Sequence, residues 1–179
     1  MKKVTLNLIA FFVFVLVSCA HASHEAGRPL AGSGTATLKG TEANSPISGK
    51  VTFRETAEGL KVHAEFQNAP PGKHGFHIHE NGDCGDGGKA AGGHYNPEGA
   101  PHGFLSKDGL GHVHAGDLGN IDIAADGTGM LDEVIPGLTL KGAKYNILGR
   151  SVILHEKEDD FGQPTGNAGG RIGCGVIVE

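Results

Sequence analysis

Beyond residue 33 the chain is dominated by a period of two. Ile47, Gly49, Val51 and Phe53 alternate with Ser48, Lys50, Thr52 and Arg54. Leu60, Val62, Ala64 and Phe66 alternate with Lys61, His63, Glu65 and Gln67. Such alternation marks half-buried strands, and the turn Ala57-Glu58-Gly59 between them makes the two an antiparallel pair. A short strand over 34–39 precedes them. Pro70-Pro71-Gly72 ends the pair and leads into Gly75-Phe76-His77-Ile78-His79-Glu80. Strand signals resume at 118–124, 130–135, 145–154 and 172–178, separated by Asp126-Gly127 and Pro136-Gly137. No stretch shows an amphipathic helical period. The pattern predicts an all-β domain of about eight short antiparallel strands, a barrel or a sandwich. Two segments, 81–112 and 159–171, have no sustained period. Loops of that length inside a compact domain are usually functional.

Composition agrees with this outline. The chain has 179 residues, 31 of them glycine, and no tryptophan. That is about one domain, with many tight turns. A net charge of -5 and a pI near 6.1 argue against nucleic acid as a partner. The N-terminus reads as an export signal over 1–18: Lys2 and Lys3, then an apolar run from Leu6 to Val17, too short to span a bilayer comfortably. Leu16-Val17-Ser18-Cys19 resembles a bacterial lipobox, which would lipidate Cys19. Cleavage after Ala20-His21-Ala22 is the alternative. Either route exports the chain, to the periplasm or cell envelope, and Cys19 would be its sole membrane anchor. Residues 19–32 read as a tether, with His21 and His24 as solvated linker residues, and the domain occupies 33–179. Losing Lys2 and Lys3 takes two positive charges from -5, which leaves -7. With Cys19 lipidated or removed, Cys84 and Cys174 remain, as one bridge or as two buried thiols.

Chemistry concentrates in the histidines. In a strand His77 and His79 share a face, with Phe76 and Ile78 behind them. Two imidazoles on a rigid strand make half a metal site, although an isolated pair also occurs as plain surface histidines. The long loop adds His94 and His102, the next strand opens on His114 and Asp117, and His155 follows Val152-Ile153-Leu154. Six imidazoles and one carboxylate exceed one tetrahedral site and suit two borderline metals, with copper and zinc leading.

At this point the chain resembles the copper/zinc superoxide dismutases. The resemblance is carried by Gly75-Phe76-His77-Ile78-His79-Glu80, Gly93-His94-Tyr95-Asn96-Pro97, His114-Ala115-Gly116-Asp117-Leu118-Gly119-Asn120 and His155-Glu156-Lys157. Gly166-Asn167-Ala168-Gly169-Gly170-Arg171 and Cys174-Gly175 complete it. It covers about 33–178 and implies an eight-stranded antiparallel Greek-key β-barrel, superoxide as substrate, and copper and zinc as cofactors. It further implies His77, His79, His94 and His155 on copper and His94, His102, His114 and Asp117 on zinc, with His94 bridging. Asp159 would link His77 to His102, Arg171 would attract the anion, Thr165 would narrow the channel, and Cys84 would pair with Cys174. His112 competes with His114, but the spacing to Asp117 favours His114. His63 reads as exposed and His74 as structural.

Two departures matter. Glu80-Asn81-Gly82-Asp83-Cys84 brings the cysteine closer to the copper strand than in eukaryotic members, as in exported bacterial ones, and a homodimer is left open. The second loop is short: only Gln163-Pro164 separates Asp159-Asp160-Phe161-Gly162 from Thr165-Gly166. The steering charges of the eukaryotic loop have no counterpart there, and Lys89 and Lys107 are the candidate substitutes. The rival reading is a non-enzymatic copper carrier on the same fold.

Overall fold

The computed structural model describes residues 32–179, together with Met1. The export signal, Cys19, His21 and His24 lie outside the described residues. Eight strands form one closed antiparallel barrel: β1 (Ser33–Gly40), β2 (Ser48–Glu55), β3 (Leu60–Gln67), β4 (Gly72–His79), β5 (Asp117–Ile123), β6 (Gly129–Ile135), β7 (Ser151–His155) and β8 (Arg171–Val178). Around the barrel the order is β1-β2-β3-β6-β5-β4-β7-β8. The connections β3 to β4 and β6 to β7 each pass over two strands, which gives the Greek-key course.

The alternation fixes the core. Val51 and Phe53 of β2 and Leu60, Val62, Ala64 and Phe66 of β3 point inward and are buried. The two strands pair in unbroken register from Ser48 opposite Gln67 to Glu55 opposite Leu60. Phe76 of β4 meets Phe66 edge to face at 5.7 Å across the interior. A one-residue slip of β4 would turn Phe76 and Ile78 out and two imidazoles in, so the barrel itself sets which face carries the histidines.

β4 departs from simple alternation. From His74 to His79 every residue is buried. The inner side chains face the barrel, and the outer ones lie under the two long loops. Gly75 permits this covering. A Cβ there would sit 2.8 Å from Ala168 Cβ of the second loop, and its N–H donates to Lys157 O at 2.8 Å. A register shift between Gly75 and His77 also bends β4 against β5.

One sequence expectation fails. The strand expected over 145–154 is confined to Ser151–His155. Tyr145 is left-handed, with φ 54°, which breaks the extended run. Ile147 is buried in the core, and its N–H donates to Thr139 O. Its apolar character serves a plug at the barrel's end, not a strand. Loop 81–116 also carries a single 3-10 turn at Lys89–Ala91 and one short helix, α1 (Leu105–Asp108). Cys84 and Cys174 form a disulfide that ties this loop to β8. It closes a sequence separation of 90 residues, large enough for a substantial loop-entropy contribution.

Candidate metal centre

Three backbone hydrogen bonds assemble the site. Ile78 N–H donates to Gly116 O at 2.9 Å, Gly116 N–H to Tyr95 O at 2.9 Å, and Tyr95 N–H to Ile78 O at 2.8 Å. The cycle closes on itself. Ile78 lies between His77 and His79, Tyr95 follows His94, and Gly116 lies between His114 and Asp117. Segments far apart in sequence are thereby held with their ligand-type side chains on one side. Gly116 is required for the approach: a Cβ there would lie 2.1 Å from Ile78 O. Arg150 braces the same junction. Its guanidinium stacks 3.5 Å over the Tyr95 ring and donates to Glu80 O at 2.8 Å.

Among the described residues the side chains form two four-residue groups, each with its ligand-type atoms within 4.8 Å of one another, and a smaller set, His77, His102 and Asp159, meets the same limit. One is His77, His79, His94 and His155; the other is His94, His102, His114 and Asp117. All seven residues are buried, and His94 belongs to both groups. Its Nδ1 lies 2.8 Å from Asp117 Oδ1 and 3.4 Å from His114 Nδ1, which leaves Nε2 for the first group. Nε2 of His79 and Nε2 of His155 approach to 3.2 Å. Asp159 joins the groups: it accepts from His77 Nε2 at 2.7 Å and from His102 Nε2 at 3.0 Å. His112 is exposed and belongs to neither group.

These groups fit metal ions. Four buried side-chain polar atoms among the described residues lack a hydrogen-bond partner, and three are Nδ1 of His77, His102 and His155. His102 Nδ1 is only 2.8 Å from Asp117 Oδ2, yet the pair lacks hydrogen-bond geometry. Two donor atoms that close, aimed past one another, are converging on a third point. The set of three imidazole nitrogens and one carboxylate suits zinc, and four imidazoles suit copper.

The electrostatics favour ligating forms. Burial pushes the His79 imidazole down to about 2 and that of His155 to about 3, in each case helped by neighbouring histidines. His94 falls to about 4; burial outweighs the hydrogen bond to Asp117. Neutral imidazole is the form that binds a metal. His102 goes the other way: burial opposes its charge, but Asp117 and Asp159 outweigh it and raise the ring to about 9. Asp117 and Asp159 are held well below the usual carboxylate range, because their histidine partners overcome the cost of burial. Within the described residues, this cluster concentrates negative charge that a dication would neutralise.

Arg171 and Thr165 differ in placement. Arg171 opens β8 opposite His155 and donates to Gly88 O and Gly92 O, both at 2.5 Å. Gly92 O also accepts from His79 Nδ1, so one carbonyl positions the guanidinium and a ring of the first group. Thr165 is exposed on the second loop, and among the described residues no hydrogen bond ties it to either group. His74 spans His155 O and Pro70 O, each 2.8 Å from a ring nitrogen. Sequence reasoning missed the side-chain amides that hold the loops. Asn120 clamps the backbone of Asp159 at both groups, at 2.7 and 2.9 Å.

The sequence model for copper/zinc superoxide dismutase (SODC) matches residues 47–177. The extracellular superoxide dismutase [Cu-Zn] of Drosophila melanogaster is 45% identical over 147 residues, covering 75% of this chain and 77% of that protein. The protein of the same name from Caenorhabditis elegans is 42% identical over 138 residues, covering 73% of this chain; the chain spans 61% of that relative's length. A crystal structure of the clock protein EA4 superposes with a TM-score of 0.73 at 37% identity, over 85% of this chain and 97% of that one.

Two outcomes test the site as built. Gly116→Ala should cost about 1–3 kcal/mol of stability, because a backbone carbonyl cannot yield to a Cβ. It should also weaken retention of metal in both groups, read by metal content after dialysis; full retention would show that the cycle does not set the site. The second outcome concerns pH. His79, His94 and His155 hold off protons that the unfolded chain accepts near 6.5, so metal-free stability falls as pH drops below about 6.5. His102 contributes fully below about 6.5, and that contribution is lost as pH rises towards 9. The urea midpoint of chelated protein should therefore peak between, with the steeper fall on the acid side. A flat profile would contradict these assignments.

Proposed function

The chain belongs to the copper/zinc superoxide dismutase family, and from that premise we propose that it is an enzyme that converts superoxide to dioxygen and hydrogen peroxide. The observation that carries the reading is one buried ring, His94, shared between two complete ligand groups. His77, His79, His94 and His155 would hold copper, and His94, His102, His114 and Asp117 would hold zinc. Copper would supply the chemistry by cycling between two oxidation states, taking an electron from one superoxide and giving it to the next. His94 Nε2 would take up a proton in the first half and give it to the departing peroxide in the second, and water would supply the other proton of hydrogen peroxide.

Arg171 recognises the substrate. Its guanidinium is permanently charged, two backbone carbonyls fix its orientation, and it sits beside His155 and His79. The remaining donors of the fork suit a small anion. A chain of net charge -5 would otherwise repel that anion, so the local positive field must dominate, as in the steering for which this family is a standard example. Lys89 is the better substitute for the absent loop charges. It is exposed and follows Gly88, whose carbonyl anchors Arg171, whereas Lys107 lies on α1. Thr165 is proposed as the channel's narrowing residue, from the motif alone.

The relatives' extracellular names support export of this chain too. We read 1–18 as its signal and Cys19 as a lipid anchor to the cell envelope, with cleavage after Ala22 as the soluble alternative; a homodimer is left open. Mass spectrometry of the mature protein should find a diacylated Cys19 at its N-terminus. A plain Ser23 start would discard the anchor.

The reading is tested by loading the protein with copper and zinc and following superoxide decay. Turnover is expected, and Arg171→Ala should lower it severalfold or more and flatten its dependence on salt. Uptake of both metals without turnover would favour the carrier, and an unchanged rate in the alanine variant would remove Arg171 from steering.

A further inference from the structure

The second loop is short, yet it grips His102 at three points. Asp159 takes the ring's Nε2. Phe161 lays its ring nearly parallel to the imidazole, 19° apart with centroids at 6.5 Å, and packs against Phe104 at 5.6 Å. Gln163 engages the backbone: its Oε1 accepts from His102 N–H at 3.0 Å, and its Nε2 donates to His102 O at 2.9 Å. One carboxamide thus satisfies both main-chain groups of one residue, as a neighbouring strand would.

This arrangement is dearly held. Phe161 is 42% exposed and left-handed at φ 59°, a conformation costly for a bulky residue. Its N–H donates to Asp159 Oδ1 at 2.8 Å, so the strained backbone places the roof and supports the acid together. His102 lies in the irregular part of the first loop, outside every strand. Its neighbour Gly103 donates to Asp117 Oδ2. Without Gln163, both main-chain groups of His102 lose the partner that the second loop gives them.

We propose that Gln163 is a positioning residue for the zinc side of the site, and that Gln163 and Phe161 together form a latch that must open before zinc can leave. The latch does by direct side-chain contact what length cannot do in so short a loop. The side chains of Gln163 and Phe161 engage His102 and not His77, His79 or His155, so the latch should govern zinc before copper. The inference rests on the assignment of His102 to zinc made above.

The test is metal release from the copper- and zinc-loaded protein to an excess of a zinc-sensitive chelator, with copper followed by its visible absorption. Gln163→Ala removes two hydrogen bonds and should speed zinc release about tenfold or more. Gln163→Glu keeps the acceptor for His102 N–H but loses the donor, and it should fall between the two. Phe161→Ala should act in the same direction as the alanine variant at 163. In each variant, copper absorption should decay no faster than in the parent until zinc has gone. Cobalt in the zinc position gives a second readout, and its ligand-field bands should shift in Gln163→Ala.

Zinc release within twofold of the parent in both Gln163 variants would overturn the latch, as would equal acceleration of both metals, which would mean general loosening. Should the alanine variant fail to fold, the glutamate variant decides alone. A parent protein that takes up no zinc at all would overturn the assignment beneath the latch and the latch with it.

Discussion

The cycle of three backbone hydrogen bonds among Ile78, Tyr95 and Gly116 is the constraint on which the site depends. Each bond is individually modest, worth about 1 kcal/mol net. Their importance is geometric. A strand, a long loop and the start of the next strand must meet at one point before any histidine can find another. Side chains on a loop alone would be free to turn towards solvent, and six buried imidazoles would cost more than the fold could recover. The barrel supplies the fixed member, β4, because Phe76 and Ile78 are locked into its interior. The loops are then registered against β4 by main-chain bonds that do not depend on any metal.

A pre-formed site of this kind is under tension. His79, His94 and His155 are kept neutral by burial, and Asp117 and Asp159 are kept ionised by their histidine neighbours. Several ring nitrogens have no partner among the described residues. Unpaired buried polar atoms are expensive, and their concentration in one place marks where the fold relies on something beyond its own atoms. The same features that would weaken a chelated scaffold are the ones that would tighten around two cations. Stability and function are therefore linked through the same atoms, and acid acts on both.

Much of this was legible in the sequence, for identifiable reasons. The period of two in β2 and β3 gave the strands and their faces, and His-x-His on β4 gave a shared face for two ligands. The contrast is the 145–154 segment. Its apolar residues read as one strand, but the left-handed Tyr145 breaks the run and Ile147 plugs the barrel. Periodicity cannot separate a short strand from an apolar plug when both are buried. The hydrogen-bond cycle was invisible for another reason: it joins backbones, and only the glycine at 116 leaves a trace in residue type. Asn120 and Gln163 were hidden because an amide clamp looks like any other polar residue until its partner is known.

Those amides show how irregular backbone can be made as definite as a sheet. Asn96 holds Ala100, Asn120 holds Asp159, and Gln163 holds His102, each by one donated and one accepted bond to a single residue's main chain. Asn120 lies on β5, so the barrel's order passes through it to Asp159, and from Asp159 through its carboxylate to His77 and His102. Gln163 then returns the chain of contacts to the second loop. The result is a closed circuit in which both loops are held at defined points by residues outside the two four-residue ligand groups. The second loop is short, and its few residues are spent on clamps. On the proposed reading, the burden of attracting an anion falls on Arg171 and the first loop.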